Sequence, residues 1–208
     1  MKIRELNDVS RLKSFRASAI LTAVAVLLSP AIANEARTGS GLFPEGNFET
    51  PDGNGWVAGW PDVPNPNDAP WKGGARMKLE EEQGNHFVRV NTNPDYPTFY
   101  RLGASIALPE GTKKLSLSVR SRGRVDATPD ADWRGARLTL QFYDHNEDPI
   151  KDAPSAVLGD IQKTQAEWKK DERTLDVPEG ARSLYVRLIV GGLVGEFDFD
   201  DLVVSDAK

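Results

Sequence analysis

The sequence predicts an all-β fold, a two-sheet antiparallel β-sandwich, from three observations. Apolar and polar residues alternate with a period of two in several runs, turn-forming residues separate these runs, and almost no run has a helical period. Such alternation indicates strands with one buried face and one face open to solvent or a ligand. The 208 residues include no cysteine, so the hydrophobic core must hold the domain without disulfides.

Five runs carry the strand pattern. They cover residues 87–91, 114–120, 137–144, 182–190 and 197–204. Turn formers separate them at 109–111, 146–149 and 178–180, where proline, glycine or asparagine is present. The stretch 153–169 fits either a short helix or a loop. We expect four or five strands in each sheet.

The first 33 residues have the pattern of a secretory signal peptide. Five Lys and Arg residues precede the uncharged, mostly apolar run 17–28, and Ala31-Ile32-Ala33 offers small residues for cleavage. A membrane anchor is the alternative, but spanning a bilayer takes about 20 apolar residues. We predict a signal peptide at 1–33, a flexible leader at 34–41 and one domain at 42–208. The mature protein is expected in the periplasm or the medium, as a monomer not bound to a membrane.

The net charge also excludes some partners. The chain carries a formal charge of −5, and removal of the basic first 33 residues makes the remainder more acidic. Binding to phosphate groups needs clustered Lys and Arg, so neither nucleic acid nor an anionic lipid surface is an expected partner.

The sequence offers little for catalysis. Its two histidines, His86 and His145, are far apart in the chain, and there is no cysteine nucleophile and no Gly-x-Ser-x-Gly motif. Two dispersed histidines cannot form a histidine-rich metal site. Paired carboxylates cleave glycosides in some enzymes, but the acidic run 80–82 is better interpreted as a solvated charge run. We predict a protein that is not an enzyme.

The stretch 53–74 differs from the rest of the chain. It has four Pro and three Trp without periodicity, which predicts a long loop. Packed or stacked indoles supply free energy that fixes a loop, so we expect this one to be ordered.

Motifs at the two ends of the predicted domain point to a family. They are Leu42-Phe43-Pro44-Glu45-Gly46-Asn47-Phe48-Glu49, Gly55-Trp56-Val57-Ala58-Gly59-Trp60 and Gly195-Glu196-Phe197-Asp198-Phe199-Asp200-Asp201-Leu202-Val203-Val204. This combination resembles the jelly-roll carbohydrate-binding modules of the galactose-binding-like superfamily, the type appended to bacterial xylanases and glucanases. Those modules open with Asn-Gly-x-Phe-Glu and Gly-Trp and close with an aromatic-Asp-Asp-aliphatic strand. This sequence departs from the pattern at Glu45, where Asn is usual.

The resemblance implies a structural calcium between the first and last strands. Glu49 and Asp201 match the family's side-chain ligands, and carbonyls near Gly46 or Asn47 would complete the shell. A hard divalent cation with oxygen ligands also relieves the repulsion between adjacent carboxylates. The alternative is that these carboxylates are exposed strand-end residues.

A sugar site needs flat aromatic faces and a few polar groups. The candidates are aromatic residues with polar neighbours and arginines on or beside strands. They are Trp56, Trp71, Trp133, Tyr96, Tyr100, Arg89, Arg101 and Arg137. We expect Arg89, Arg101 and Arg137 on one sheet beside the loop 53–74, forming one cleft with Trp133 at its edge. Alternatively, the aromatics anchor loops and the arginines pair with carboxylates on an outer face.

Trp60 and Trp168 lie where the family places structural indoles, so we expect them in the core or at its rim. The resemblance thus predicts a secreted, non-catalytic module that binds a polysaccharide or oligosaccharide and holds a structural calcium. A small secreted glycoside hydrolase or polysaccharide lyase, or a surface adhesion sandwich, is the alternative, because a fold does not fix a function.

Overall fold

The computed structural model describes residues 41–43, 46–51 and 77–207, with side chains except at 100–104, and these residues form nine strands. They are β1 (Met77–Glu82), β2 (Asn85–Thr92), β3 (Phe99–Ala107), β4 (Lys114–Ala127), β5 (Gly135–Tyr143), β6 (Val157–Ile161), β7 (Gln165–Asp176), β8 (Ser183–Gly191) and β9 (Val194–Asp206). Within these residues, no helix is long and apolar enough to cross a membrane.

The strands form two antiparallel sheets, which confirms the predicted fold class. The five-stranded sheet has the order β1-β2-β9-β4-β7, and the four-stranded sheet has the order β3-β8-β5-β6. The chain crosses between the sheets at β2 to β3, β3 to β4, β4 to β5, and at each step from β6 to β9. These crossings place sequence neighbours on different sheets, which decides where the candidate site residues lie.

The core lies between the two sheets and follows the alternation in the sequence. On β4, Leu115, Leu117 and Val119 are buried, and on β8 every second residue from Leu184 to Val190 is buried. The residues between them point outward from their sheets. The inward faces therefore make one hydrophobic cluster, and the outward faces remain available for binding.

The opening segment, residues 41–43 and 46–51, lies beside the last strand, as the motifs at the chain ends predicted. The Leu42 amide donates to the Val204 carbonyl at 2.6 Å, and the Leu202 amide donates to the Gly46 carbonyl at 2.8 Å. A Cβ on Gly46 would lie far inside 3.0 Å of the Leu202 carbonyl oxygen, so only glycine permits this approach. The segment also buries Phe48 in the core.

The stretch 153–169 is neither a helix nor a single loop. It contains β6 and the start of β7, with a short turn between them. β7 is an edge strand, and its burial pattern shows no alternation because both of its faces carry charged side chains that reach solvent.

Three sequence-based predictions fall outside the described residues. The signal peptide at 1–33 and the loop 53–74 lie wholly outside them, and so does all of the leader 34–41 except Gly41.

Candidate functional site

Three charged residues form one row across the outer face of the five-stranded sheet. Arg89 on β2 is in register with Asp198 on β9, and Asp198 is in register with Arg122 on β4. Arg89 donates two parallel hydrogen bonds to Asp198, from Nε at 2.6 Å and from Nη2 at 2.7 Å. Arg122 Nε donates a third at 2.8 Å. Cross-strand pairing thus holds a carboxylate between two guanidinium groups.

The charges of Arg89, Asp198 and Arg122 stabilise one another. Asp198 is only 3% exposed, so its charge depends on the two arginines rather than on water. The hydrogen bond to Asp198 raises the pKa of Arg89 above its ordinary value, against the effect of burial. Burial lowers the pKa of Arg122, but its hydrogen bonds to Asp198 and Glu82 outweigh that effect and leave it raised. Both guanidinium groups therefore stay charged at every working pH.

A groove of about 350 Å³ lies over this row. Its charged lining residues are Glu82, Arg89, Arg122, Arg124, Glu196 and Asp198, and residues 164–166 form another part of its wall. Arg122 Nη1 contacts Glu82 Oε2 at 2.8 Å, and Arg124 Nη2 lies 3.7 Å from Glu196 Oε1. Positive and negative groups thus alternate along the groove.

Two aromatic rings lie beside the groove. Phe87 and Trp168 meet edge to face with their centroids 5.6 Å apart. The Arg122 guanidinium carbon lies 4.6 Å from the Trp168 centroid and 5.1 Å from the Phe87 centroid, both within cation–π range. Arg122 therefore joins the charged row to the aromatic pair.

The position of Trp168 corrects the expectation that it is a core or core-rim indole. It is half-buried and packs on the outer face of the five-stranded sheet, against Phe87 and the guanidinium groups of Arg120 and Arg122. Phe87 is itself buried but is not part of the cluster between the sheets. Trp168 is accommodated on the outer face of the sheet because side chains of β2 and β4 pack against it there.

The single cleft expected from Arg89, Arg101 and Arg137 is wrong. Arg89 lies on the five-stranded sheet, whereas Arg101 on β3 and Arg137 on β5 lie on the four-stranded sheet. Arg89 and Arg137 each lie between buried neighbours and so point away from the core, in opposite directions. The chain crosses between sheets at β2 to β3 and again at β4 to β5, and this separates the arginines.

Arg89 and Arg137 also have the carboxylate partners that the alternative interpretation predicted. Arg89 pairs with Asp198, and Arg137 Nε lies 3.3 Å from Asp160 Oδ1. The side chains of Tyr100 and Arg101, and all of Trp56 and Trp71, lie outside the described residues.

Two predicted aromatic residues are described. Trp133 precedes β5 and is 39% exposed, with the Arg137 guanidinium carbon 4.7 Å from its ring centroid. Tyr96 is half-buried in the connection between β2 and β3, where its amide donates to Asn93 Oδ1 at 2.9 Å. The structure therefore brings Trp133 and Arg137 together but separates them from Arg89.

Arg122, Asp198 and Glu82 line the groove but were not predicted from the sequence as site residues. Glu82 belongs to the acidic run interpreted as solvated, yet it pairs with Arg122. A signal was present, because Arg120, Arg122 and Arg124 recur with the strand period, and so do the acids at 196, 198 and 200. Two such stripes of opposite charge fit neighbouring strands of one sheet.

Glu49 and Asp201, the two predicted calcium ligands, each have a polar partner near the place where the opening segment meets β9. Glu49 Oε2 accepts a hydrogen bond from the His86 amide at 3.2 Å and lies 3.3 Å from His86 Nδ1. Asp201 Oδ2 accepts a hydrogen bond from Arg120 Nη1 at 3.1 Å. Asp201 has a positive φ of 50°, which is unusual for a residue other than glycine.

Asp200 lies at the same corner and is fully buried. Asn85 Nδ2 donates to its Oδ2 at 3.0 Å, and the Asp201 amide donates to its Oδ1 at 2.7 Å. Over the residues that the structure describes, no three His, Cys, Asp or Glu side chains form a group that could hold a metal ion. A calcium at this corner would therefore need backbone oxygens in addition to these carboxylates.

Comparison with known proteins gives matches at the level of the fold. The sequence matches no protein-family model and no curated protein. The enzymatically active domain of tailspike protein 4 from bacteriophage CBA120 matches with a TM-score of 0.50 and 13% identity, over 77% of this chain. This chain spans only 20% of the length of that protein.

Carbohydrate-binding modules make up most of the similar structures. A family 16 module matches with a TM-score of 0.47 and 12% identity, over 71% of this chain and 90% of its own. A module specific for non-crystalline cellulose matches with a TM-score of 0.43 and 10% identity, over 76% and 94%. At such identities the likeness concerns the fold alone.

Proposed function

We propose that this protein is a secreted, non-catalytic carbohydrate-binding module and that the groove over Arg89, Asp198 and Arg122 is its binding site. The observation that carries the proposal is the row of fixed donors and acceptors beside Phe87 and Trp168. Sugar sites combine a few well-placed polar groups with aromatic side chains in a concave surface. Charged and polar side chains line the groove, and the Phe87–Trp168 pair lies beside it without lining it.

The groove suits hydroxyl groups because each hydroxyl both donates and accepts hydrogen bonds. Its carboxylates accept and its guanidinium groups donate, at positions fixed by their mutual ion pairs. A site fixed before binding loses less conformational entropy when the ligand arrives. Donors and acceptors fixed in this way support selective binding of a glycan rather than general adhesion.

The charge of the groove favours an uncharged glycan. Three arginines and three carboxylates are among its lining residues, so their formal charges cancel. The acceptor Asp198 already takes three hydrogen bonds from arginine. A uronic acid would have to compete with these pairs for guanidinium groups, whereas a neutral sugar uses the donors and acceptors together.

The same ion pairs argue against hydrolysis. A glycosidase needs two carboxyl groups, one of which donates a proton to the leaving oxygen. Asp198 accepts hydrogen bonds from two guanidinium groups, and Glu82 is paired with Arg122. Both carboxylates are therefore already engaged with arginine side chains inside the groove.

A polysaccharide panel tests binding and catalysis together. The purified protein is incubated with insoluble xylan, mannan, galactan and amorphous cellulose, and both its retention and the release of reducing ends or unsaturated products are measured. We expect retention on at least one of these polymers and no product. Product release would favour the hydrolase or lyase, and the absence of retention on every polymer would refute the proposal.

Calcium and secretion belong to the same proposal. The corner formed by Glu49, Asp200 and Asp201 supports a calcium that stabilises the opening segment against β9, with Glu49 and Asp201 as the side-chain ligands predicted from the sequence. When bound, the cation would neutralise neighbouring carboxylates. The pattern of residues 1–33 supports export, which is where a protein that binds extracellular polysaccharide has to act.

A further inference from the structure

Two glycines form a shallow floor on the outer face of the four-stranded sheet. Gly135 on β5 is in register with Gly191 on β8. A Cβ on Gly191 would lie within 3.0 Å of three adjacent atoms of the Trp133 six-membered ring, which means that the face of the ring covers this glycine. A Cβ on Gly135 would lie 2.6 Å from Arg137 Nη2 and from Asp160 Oδ1. The missing side chains thus make room for the indole and for the Arg137 guanidinium group, whose carbon lies over the indole ring at 4.7 Å from its centroid.

Trp133 is held in place and yet remains exposed. It is 39% exposed, and Val203 is the only other large hydrophobic side chain with such exposure among the residues that the structure describes. One ring face packs on the Gly191 backbone, so the indole is fixed without being buried. A flat apolar surface that is rigid before binding is the arrangement that stacks on the C–H face of a pyranose ring.

Polar groups beside the indole are also fixed. Arg137 Nη2 donates to the Arg134 carbonyl at 3.1 Å, and its Nε lies 3.3 Å from Asp160 Oδ1. Gln162 Nε2 donates to Asp160 Oδ2 at 2.7 Å. The guanidinium carbon lies 4.7 Å from the indole centroid, so a ring stacked on Trp133 would have a donor and an acceptor within reach of its hydroxyl groups.

We infer that Trp133, Arg137 and Asp160 form a second glycan-binding site, here called the Trp133 patch. It takes the same class of ligand as the groove and rests on the proposed function in that respect. It is a separate site because Arg137 points outward from the four-stranded sheet, whereas the groove lies on the outer face of the five-stranded sheet.

The positions of the two sites have a consequence for binding to polymers. Outer faces of the two sheets point in opposite directions, so one short oligosaccharide cannot occupy both sites of one molecule. Each molecule therefore binds two oligosaccharides, or bridges two polysaccharide chains. On an insoluble polymer, two engaged sites raise the overall avidity above that of either site alone.

Titration calorimetry with xylohexaose, cellohexaose, mannohexaose and galactohexaose tests this inference. We expect two molecules of the preferred hexasaccharide per wild-type chain and one per Trp133→Ala chain. Ala166→Leu fills the groove wall without removing an ion pair, and we expect it also to bind one. Trp133→Phe keeps a flat ring and should restore the second molecule. Melting curves establish that each variant is folded.

The possible outcomes separate the two proposals. One hexasaccharide per wild-type chain, with no change in Trp133→Ala and loss in Ala166→Leu, overturns the Trp133 patch and leaves the groove. If the wild-type chain binds one hexasaccharide, and this binding is lost in Trp133→Ala but kept in Ala166→Leu, the groove as a binding site and the two-site binding are both overturned. No binding of any of the four sugars by the wild type, combined with no retention on the polysaccharide panel, overturns both sites.

Discussion

At the scale of single residues, Asp198 is the residue on which the groove depends most. It is buried on the outer face of a sheet, away from the hydrophobic core, and it accepts hydrogen bonds from Arg89 and Arg122. The raised pKa of Arg89 adds stability that is present below the ordinary arginine pKa and is lost only above it. The Arg89 guanidinium should therefore add no pH dependence of stability below the ordinary arginine pKa, which urea denaturation at several pH values would check.

Replacing Asp198 should destabilise the domain. Asp198→Ala leaves two partly buried guanidinium groups without their main partner, and breaking a buried ion pair typically costs about 3 to 5 kcal/mol. Urea denaturation measures the loss in the free energy of unfolding. Asp126→Ala is the matched control, because its pair with Arg124 is exposed to solvent and such pairs add little to stability. Equal, small losses in both variants would show that the row does not hold the groove together.

At the scale of elements, the corner between the opening segment and β9 joins the two ends of the domain. Backbone hydrogen bonds from Leu42 and Leu202, together with the burial of Phe48, dock the segment. Glu49, Asp200 and Asp201 bring negative charge to the same corner. A bound cation at this corner would therefore act on the stability of the whole domain.

Calcium should raise the melting temperature, because a ligand that binds only the native state stabilises it by about 2.7 kcal/mol at 100 times its Kd. Melting is followed with added calcium and with a chelator, for the wild type and for Glu49→Gln. We expect a shift of several degrees in the wild type and a much smaller shift in the variant. Identical melting curves in the wild type under both conditions, with no metal found by elemental analysis, would reject the calcium.

The elements that the sequence predicted are those with one buried face. β2, β4, β5, β8 and β9 overlap the five alternating runs, because burial of one face imposes a period of two. β1 and β7 are edge strands of the five-stranded sheet and have charged residues on both faces, so alternation is weak or absent in them. Their existence follows from pairing with neighbouring strands, which a local pattern does not contain.

The candidate site was predicted less well, for a related reason. Arg89 and Arg137 lie on outer faces of the sheets and Trp133 is exposed, but the grouping of these residues depends on which sheet each strand joins. The contact of Arg89 with Asp198 and Arg122 depends on the register of three strands that are distant in the sequence. Register between distant strands is set by burial across the whole sheet, so a single sequence read locally does not reveal such a row.

At the scale of the whole molecule, the sandwich separates two outer faces with different contents. The five-stranded sheet presents the charged groove beside Phe87 and Trp168, and the four-stranded sheet presents the Trp133 patch. The core between them is apolar and continuous, so the two faces are held at a fixed separation.

The central claim is that the groove binds the glycan, and filling the groove tests it most directly. Ala166 is exposed and lines the groove, whereas Glu167 is exposed and is not among its lining residues. The measurement is the Kd for the hexasaccharide of the polysaccharide on which the protein is retained. It is made on two double variants, Trp133→Ala with Ala166→Leu and Trp133→Ala with Glu167→Leu. Relative to Trp133→Ala alone, we expect a Kd at least about 10-fold higher with Ala166→Leu, equivalent to about 1.4 kcal/mol. With Glu167→Leu we expect no change in Kd. An unchanged Kd with Ala166→Leu, in a folded protein, would contradict it.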